Sequence, residues 1–378
     1  MSLGWGLRGY IGGHSFGAMI PGAMVALVLC RLLGISGERA ALAAAFGAVG
    51  IGFGGEMTYG QTVGFARDGA TLAWGLTGLA LKGAVWGLTG GVFLAAGFAK
   101  IPLRRLAFAL AAFAAATLLG WATVNLPKLI YFSNLADRPR EEVWAGLLLG
   151  GVAFWLVLRD VPSIGRFARA GFLGGGLGFG LGGNWIFIGS QVGMASAPWW
   201  KLMEFTFGAL FGAALGSAAL ALEPDRGAPK PMHSLPWLPA SALAFAAFFA
   251  ERLIPVRFPY VFLGCLLLGP AVRWPLTRLP IALLATAVAF FLDWSEYFAD
   301  TDLGPAALGW GLGTAATFGF AIVLPRVTTT RGAFWLLSGV AVAVAMAKGA
   351  ITSINAEHAL FAFFTLALLA LERTRQTA

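Results

Sequence analysis

Long runs of apolar residues recur along the whole sequence, and only short connections separate them. A run of about 20 apolar residues can cross the hydrocarbon core of a bilayer as a helix. Hydrophobic residues make up 58% of the 378 residues and charged residues only 11%, whereas a soluble domain carries about 25% charged residues. The sequence therefore predicts an all-α, polytopic integral membrane protein, with residues 1–378 forming a single transmembrane domain.

We expect about 12–13 transmembrane helices. The candidate spans are residues 12–33, 40–55, 70–97, 106–124, 143–158, 168–184, 203–222, 237–253, 258–272, 279–296, 304–325, 333–354 and 357–371.

The charges sort between the two sides of such a bundle. One set of alternate connections holds more than half of the 26 Lys and Arg residues: Arg31, Arg39, Lys100, Arg104, Arg105, Arg159, Arg166, Arg169, Arg226, Lys230, Arg273, Arg278, Arg326, Arg331, Arg373 and Arg375. Basic connections of membrane proteins face the cytoplasm. We therefore expect a cell-membrane protein with its N-terminus outside and its C-terminus in the cytoplasm. Most polar residues near span ends then lie on the outer side.

Several classes of function are disfavoured. The net charge is +9, but the basic residues form neither a run nor a face shared with aromatic residues. We therefore expect membrane lipids and no nucleic acid as partners. The two cysteines lie in apolar runs and indicate neither a disulfide nor a metal site. The three histidines occur in no zinc-binding motif. No metal and no cofactor is expected.

A glycine-rich motif occurs twice, at residues 54–64 and 182–193. Both copies begin with Gly-Gly, continue with a carboxylate or an amide, and end in Gln-(Thr)-Val-Gly. The copies suggest a parallel internal repeat with units at about residues 40–125 and 168–253. Glycine lets transmembrane helices approach closely, and it also permits broken or re-entrant helices where the backbone lines a cavity. The glycine run at residues 174–183 is compatible with both.

Polar residues on the outer side are the candidate site. The candidate catalytic residues are the carboxylates Glu56, Glu204, Asp293 and Glu296. The candidate substrate-binding residues are aromatic, amide or amine side chains: Tyr59, Gln61, Lys82, Asn184, Trp185, Gln191, Trp200, Trp294 and Tyr297. Lys82 lies near the middle of its span, where a charge is costly and usually functional, and Glu204 is its expected partner.

Two functions fit these residues. Tryptophan faces with amides and carboxylates suit a sugar ring, and two carboxylates can cleave a glycosidic bond by acid/base catalysis. The first hypothesis is therefore a membrane-embedded hydrolase of the glycosidase type, acting on a sugar or lipid-linked sugar. The alternative is a proton-coupled secondary transporter for a polar small molecule, using Glu56, Glu204 and Lys82. The scarcity of polar residues in the inner halves of the spans favours the hydrolase.

Overall fold

A computed structural model describes residues 1–57, 59–133, 141–301 and 303–377, with side chains through residue 373. Within these ranges the chain forms α-helices and short 3₁₀ or π turns, and no β-strand. The α-helices are α1 (Ser2–Arg8), α2 (His14–Leu32), α3 (Gly37–Phe53), α4 (Gly60–Phe65), α5 (Leu72–Phe98), α6 (Leu103–Gly120), α7 (Trp144–Val157), α8 (Pro162–Val192), α9 (Trp199–Ala219), α10 (Trp237–Leu253), α11 (Pro259–Arg273), α12 (Ala285–Leu292), α13 (Trp294–Asp300), α14 (Ala306–Val323), α15 (Thr330–Thr352) and α16 (Ala356–Thr377).

In the described ranges, seven helical segments are long and apolar enough to cross a membrane. They are His14–Leu32, Leu72–Phe98, Leu103–Asn125, Trp199–Ala219, Pro275–Asp300, Ala306–Arg326 and Thr330–Thr352. Two shorter apolar helices, α7 and α11, accompany them. The predicted all-α polytopic bundle is confirmed. The count of 12–13 spans, the repeat units and the orientation of the termini stay predictions. Following that orientation, we call the end of the bundle where α2 begins the outer end.

Glycine sets the closest helix contacts. On α5, Gly83 and Gly87 face the backbone of Gly175 and Gly171 on α8, with no room for a Cβ atom between them. Without side chains at these positions, the two backbones can approach directly, which increases dispersion contact within the bilayer. The neighbouring face of α8 packs through Gly178 against Phe207 of α9. These contacts place α8 between α5 and α9.

The glycine run of α8 does not break its helix. The helix is continuous over 31 residues, from Pro162 to Val192, so its glycines serve close packing rather than a re-entrant turn. The second copy of the glycine motif therefore forms the last turns of α8. The first copy, in contrast, interrupts the path from α3 to α5 with a 3₁₀ turn at Gly54–Glu56 and the short helix α4. Thr58 of this copy lies outside the described residues.

The short helix α1 is enclosed by the bundle. Its first residues lie against Gly208 and Gly212, near the middle of α9, and Gly9 lies beside Lys201 at the outer end of the same helix. Trp5 is fully buried and packs edge-on against Trp86 and Phe207. Helix α1 thus begins about halfway along α9 and runs toward the outer end, where a glycine-rich turn joins it to α2.

Candidate functional site

A buried ionic network lies at the outer end of α1. The Tyr59 hydroxyl donates to Oε1 of Glu204 over 2.9 Å and accepts from Nη1 of Arg8 over 3.1 Å. Nζ of Lys201 donates to Oε2 of Glu204 over 2.7 Å, and Nε1 of Trp200 donates to Oε1 over 3.1 Å. Glu204 is only 1% exposed. Three donors from two parts of the chain therefore satisfy one carboxylate that water barely reaches.

Aromatic rings surround the Arg8 cation of this network. Its guanidinium carbon lies 5.1 Å from the ring centroid of Trp86, 5.5 Å from that of Tyr59 and 5.8 Å from that of Trp5. A cation over an aromatic face is attracted by the ring quadrupole, most strongly when water is excluded. Arg8 also donates to the carbonyl oxygen of His14 over 3.3 Å, so it ties the turn after α1 to the start of α2.

Tyr10, in that turn, connects the ionic network to a cavity. Nζ of Lys201 lies 5.2 Å from the centroid of the Tyr10 ring. On the other side, the Tyr10 carbonyl oxygen accepts from Nζ of Lys348 over 3.1 Å. Tyr10 lines an outer cavity of about 300 Å³, together with Gly9, Asp293, Tyr297, Lys348, Thr352, Ser353, Asn355 and His358.

The wall of the outer cavity carries a second ion pair. Nζ of Lys348 contacts Oδ2 of Asp293. The Tyr297 hydroxyl donates to the backbone carbonyl of Lys348 over 2.6 Å, and Nζ of Lys348 lies 5.9 Å from the Trp294 ring centroid. These contacts hold α13 against the outer end of α15. The cavity therefore offers an ammonium group, a carboxylate and aromatic faces to a small ligand.

The opposite wall comes from the start of α16. Nδ1 of His358 lies 2.8 Å from Oδ1 of Asn355, and the His358 ring packs edge-on against Tyr10. Burial and the hydrogen-bonded Glu357 raise the pKa of the Tyr10 hydroxyl to about 12. Tyr10 therefore stays neutral at physiological pH. Thr352, Ser353 and Asn355 are exposed, so the cavity opens to solvent at the outer end.

Lys82 belongs to a separate buried cluster. Its Nζ donates to Oε1 of Glu142 over 2.6 Å and to Oγ1 of Thr62 over 2.8 Å. Ser133 and the backbone N–H of Phe132 also donate to Glu142. The expected pairing of Lys82 with Glu204 is therefore wrong: Glu204 pairs with Lys201, and Lys82 pairs with a carboxylate just before α7. The Lys82 side chain is fully buried within this cluster.

Glu56 also lies apart from the ionic network. Its Oε1 accepts from the backbone N–H of Tyr260 over 2.8 Å, at the first turn of α11. Burial raises the pKa of the Glu56 carboxyl to about 7; the Tyr260 N–H opposes this shift, and the nearby Glu251 adds to it. Glu56 and Glu204 thus contact different residues.

The remaining predicted residues are dispersed. Asn184 donates to carbonyl oxygens of its own helix. Trp185 donates to Thr206 and stacks on Trp199. Gln191 is exposed near the end of α8, Glu296 is exposed on α13, and Gln61 is half-buried in α4. The structure brings together Tyr59, Trp200 and Glu204 in one cluster, and Asp293, Trp294 and Tyr297 in the next.

Four residues were not predicted from the sequence: Arg8, Tyr10 and Lys201, which join these clusters, and Glu142, which pairs with Lys82 in the separate cluster. Arg8 and Tyr10 precede the first predicted span and look like part of a surface extension. Lys201 and Glu204 are three residues apart, a spacing at which helical side chains meet, so this pair was available as a signal. No group of three or more metal-ligating side chains occurs among the described residues.

Comparison with protein-family models, curated proteins and solved structures gave no match. The fold itself defines the class, an integral membrane helical bundle. The function must therefore be inferred from the site.

Proposed function

We propose that the protein is a proton-coupled secondary transporter for a small polar solute. The outer cavity would bind the solute between Lys348, Asp293 and Tyr10. The buried network of Arg8, Lys201 and Glu204 would couple binding to proton movement. The arrangement of the described residues then corresponds to a state that is open toward the outer end.

One observation carries the proposal: a solvent-open polar cavity and a buried ionic network both contact the turn at Gly9 and Tyr10. Ionisable residues inside membrane proteins are rare, costly and typical of proton relays and ion pathways. Here Tyr10 contacts Lys201 with its ring and Lys348 with its carbonyl oxygen. A solute that displaces Lys348 from Tyr10 also changes the surroundings of Lys201, so binding and charge rearrangement are linked.

Protonation of Glu204 would change the stability of the buried network, and this change would couple proton binding to solute binding. The ionised carboxylate accepts hydrogen bonds from Tyr59, Trp200 and Lys201. A proton on the carboxyl would remove the ionic attraction to Lys201 and turn an acceptor oxygen into a donor. Losing one partner of a buried ion pair costs about 3–5 kcal/mol, which is enough to shift a two-state equilibrium strongly.

The glycosidase hypothesis has less support from the geometry. A glycosidase needs two carboxyl groups on either side of the scissile bond, whereas Glu56 and Glu204 contact different elements. The Glu204 carboxylate is enclosed by its donors and is 1% exposed. Asp293 is the one predicted catalytic carboxylate that lines the outer cavity. Its carboxylate already forms an ion pair with the amine of Lys348.

The test uses the full chain in liposomes that contain a pH-sensitive dye. D-glucose, L-alanine, glycerol and uridine are added outside in turn, and the lumenal pH is followed. We expect at least one solute to move protons. Asp293→Asn should lower the rate at least about tenfold, equivalent to about 1.4 kcal/mol of lost interaction, and Glu204→Gln should abolish the coupling.

Glu296→Gln is the matched control, because it removes a carboxylate only three residues further along the chain, at an exposed position outside the cavity. It should transport as the unsubstituted protein does. The same preparations are assayed in detergent with chromogenic glycosides. Turnover there that Asp293→Asn or Glu204→Gln removes would overturn the transporter proposal in favour of the hydrolase.

A further inference from the structure

A neutral ion pair is the chemical feature that sets the preference of the outer cavity. Asp293 and Lys348 both line the cavity, and Nζ of Lys348 contacts Oδ2 of Asp293. The two charges cancel, so the wall presents a positive and a negative group side by side. A solute with a single charge would leave one of these two groups without a counterion. The pair therefore favours a solute that carries both charges or none.

The carboxylate of this pair has room for a ligand. The Asp293 side chain is 28% exposed, compared with 6% for Lys348. Among the described residues, Lys348 is the one that donates a hydrogen bond to this carboxylate, and it does so at Oδ2. A carboxylate has acceptor sites on both of its oxygens. Oδ1 of Asp293 can therefore accept from a donor group of the solute.

Lys348 discriminates between an uncharged solute and one with both charges. Its Nζ donates to the Tyr10 carbonyl oxygen over 3.1 Å, in addition to Asp293. The coupling proposed above requires the solute to displace Lys348 from that carbonyl. A hydroxyl oxygen is a neutral acceptor, as the carbonyl is, and gains nothing in the exchange. A carboxylate adds the attraction between opposite charges to the same hydrogen bond, so it can displace the carbonyl.

The carboxylate of the solute must bring a positive charge with it. When Lys348 turns toward the solute, the half-buried Asp293 loses its counterion, which is unfavourable. An ammonium group on the same solute replaces that counterion at Oδ1. Positive and negative groups then alternate around the site, and the net charge of the cavity stays zero.

The remaining lining suits a small solute of this kind. The rings of Tyr10 and Tyr297 line the cavity, and an aromatic face attracts a cation. A volume of about 300 Å³ corresponds to roughly ten water molecules at about 30 Å³ each, which is enough for one small molecule. We propose that the outer cavity binds a zwitterion, an α-amino acid, with its carboxylate on Lys348 and its ammonium on Asp293. This inference rests on the proposed function and specifies its solute.

Isothermal titration calorimetry of the full chain in detergent, near neutral pH, tests the proposal without a gradient. L-alanine and L-phenylalanine are each compared with the 2-hydroxy acid of the same shape, L-lactate or L-phenyllactate, in which a hydroxyl replaces the ammonium. L-alaninamide, a cation without a carboxylate, and uncharged glycerol complete the set. We expect at least one amino acid to bind at least about tenfold more tightly than its hydroxy acid, L-alaninamide and glycerol.

Two substitutions should change this preference in opposite directions. Asp293→Asn leaves Lys348 without a counterion, so the hydroxy acid should bind at least about tenfold more tightly than it binds the unsubstituted protein. Lys348→Gln leaves Asp293 without a counterion and should strengthen the binding of L-alaninamide instead. Each change includes a gain of binding, which a misfolded protein cannot give. Glu296→Gln, exposed and outside the cavity, is the control and should keep the preference for the amino acid.

Binding and transport can fail separately. Amino-acid binding with the expected preference, but without proton movement in liposomes, would refute the transporter and support the zwitterion site. Proton movement driven by glycerol or D-glucose, without amino-acid binding, would do the reverse. The zwitterion proposal is also overturned if neither amino acid binds, if a hydroxy acid, L-alaninamide or glycerol binds the unsubstituted protein as tightly as the amino acids do, or if both variants keep the original preference.

Discussion

Two buried carboxylates, Glu204 and Glu142, each form an ion pair with a lysine. Glu204 accepts hydrogen bonds from Lys201 of its own helix and from Tyr59 in a distant part of the chain. Lys82 donates a hydrogen bond to Glu142, which lies sixty residues further along the chain. A charge inside the bilayer predicts a partner, so the sequence shows that such pairs exist. The spacing of Lys201 and Glu204 indicates their pair, whereas the sequence cannot show that Lys82 meets Glu142 or that Tyr59 meets Glu204, because these partners come from segments that meet only when the helices pack.

Glu56 provides a prediction about pH. Its carboxyl is buried beside Tyr260, and its pKa in the folded protein is about 7, compared with about 4.3 in an unfolded chain. A raised pKa means that the folded state binds the proton more tightly. The stabilisation is complete below about pH 4 and is lost as the pH rises through about 7. We expect Glu56→Gln, which still accepts from the Tyr260 N–H, to remove this dependence.

The measurement is the thermal unfolding midpoint in detergent at about pH 4, below the unfolded-state pKa, and at about pH 8, above the folded-state pKa. Glu56→Gln should match the unsubstituted protein at the lower pH and exceed it at the higher one. Glu296→Gln is the control, since that carboxylate is exposed, and it should differ little at both. An equal difference between Glu56→Gln and the unsubstituted protein at both pH values would contradict the interpretation.

At the level of single elements, glycine spacing is the most informative part of the sequence. The glycines of α8 predicted close packing or a break, and the structure shows packing along one continuous helix. A break occurs at the first copy of the motif instead, where α3 ends at Phe53 and α4 begins at Gly60. Similar residues thus adopt different conformations, because α8 has α5 and α9 on both sides to pack against.

The contact between α5 and α8 can be tested directly. A Cβ atom on Gly87 would overlap the carbonyl oxygen of Gly171, and backbone atoms cannot move aside as a flexible side chain can. Gly87→Leu should therefore separate the helices and lower the free energy of unfolding by about 1–3 kcal/mol or more. Unfolding in mixed micelles with increasing denaturing detergent measures the change.

Gly319→Leu is the control for this prediction, because it adds the same side chain to a transmembrane glycine with open space around it. We expect a much smaller loss of stability. If the two variants unfold at the same detergent fraction, close backbone approach is not what stabilises the pair of helices.

On the scale of the whole molecule, composition and the apolar runs were sufficient to predict the class of fold. Apolar runs predicted helices, and helices occupy most of the described chain. Charge sorting predicts the polar candidates at the outer end, and this placement stays a prediction. The sequence did not predict α1. Seven residues are too few to cross a bilayer, and a short apolar segment looks the same in sequence as the first turns of a longer helix.

Orientation can be tested with single cysteines in a protein whose Cys30 and Cys265 have been replaced. Ser196→Cys precedes α9 and Ala228→Cys follows it, and both positions are exposed. Because basic connections stay in the cytoplasm, a membrane-impermeant maleimide should label Ser196→Cys in intact cells and Ala228→Cys only after permeabilisation. The opposite pattern would reverse the assignment of the two ends.

The burial of α1 has a consequence for biosynthesis. Residues 2–8 leave the ribosome before α9 and α16, yet they rest against both helices in the finished protein. We therefore expect their final packing against α9 and α16 to form only after those later helices have been inserted. The earliest of the described residues to be synthesised would then be among the last to settle.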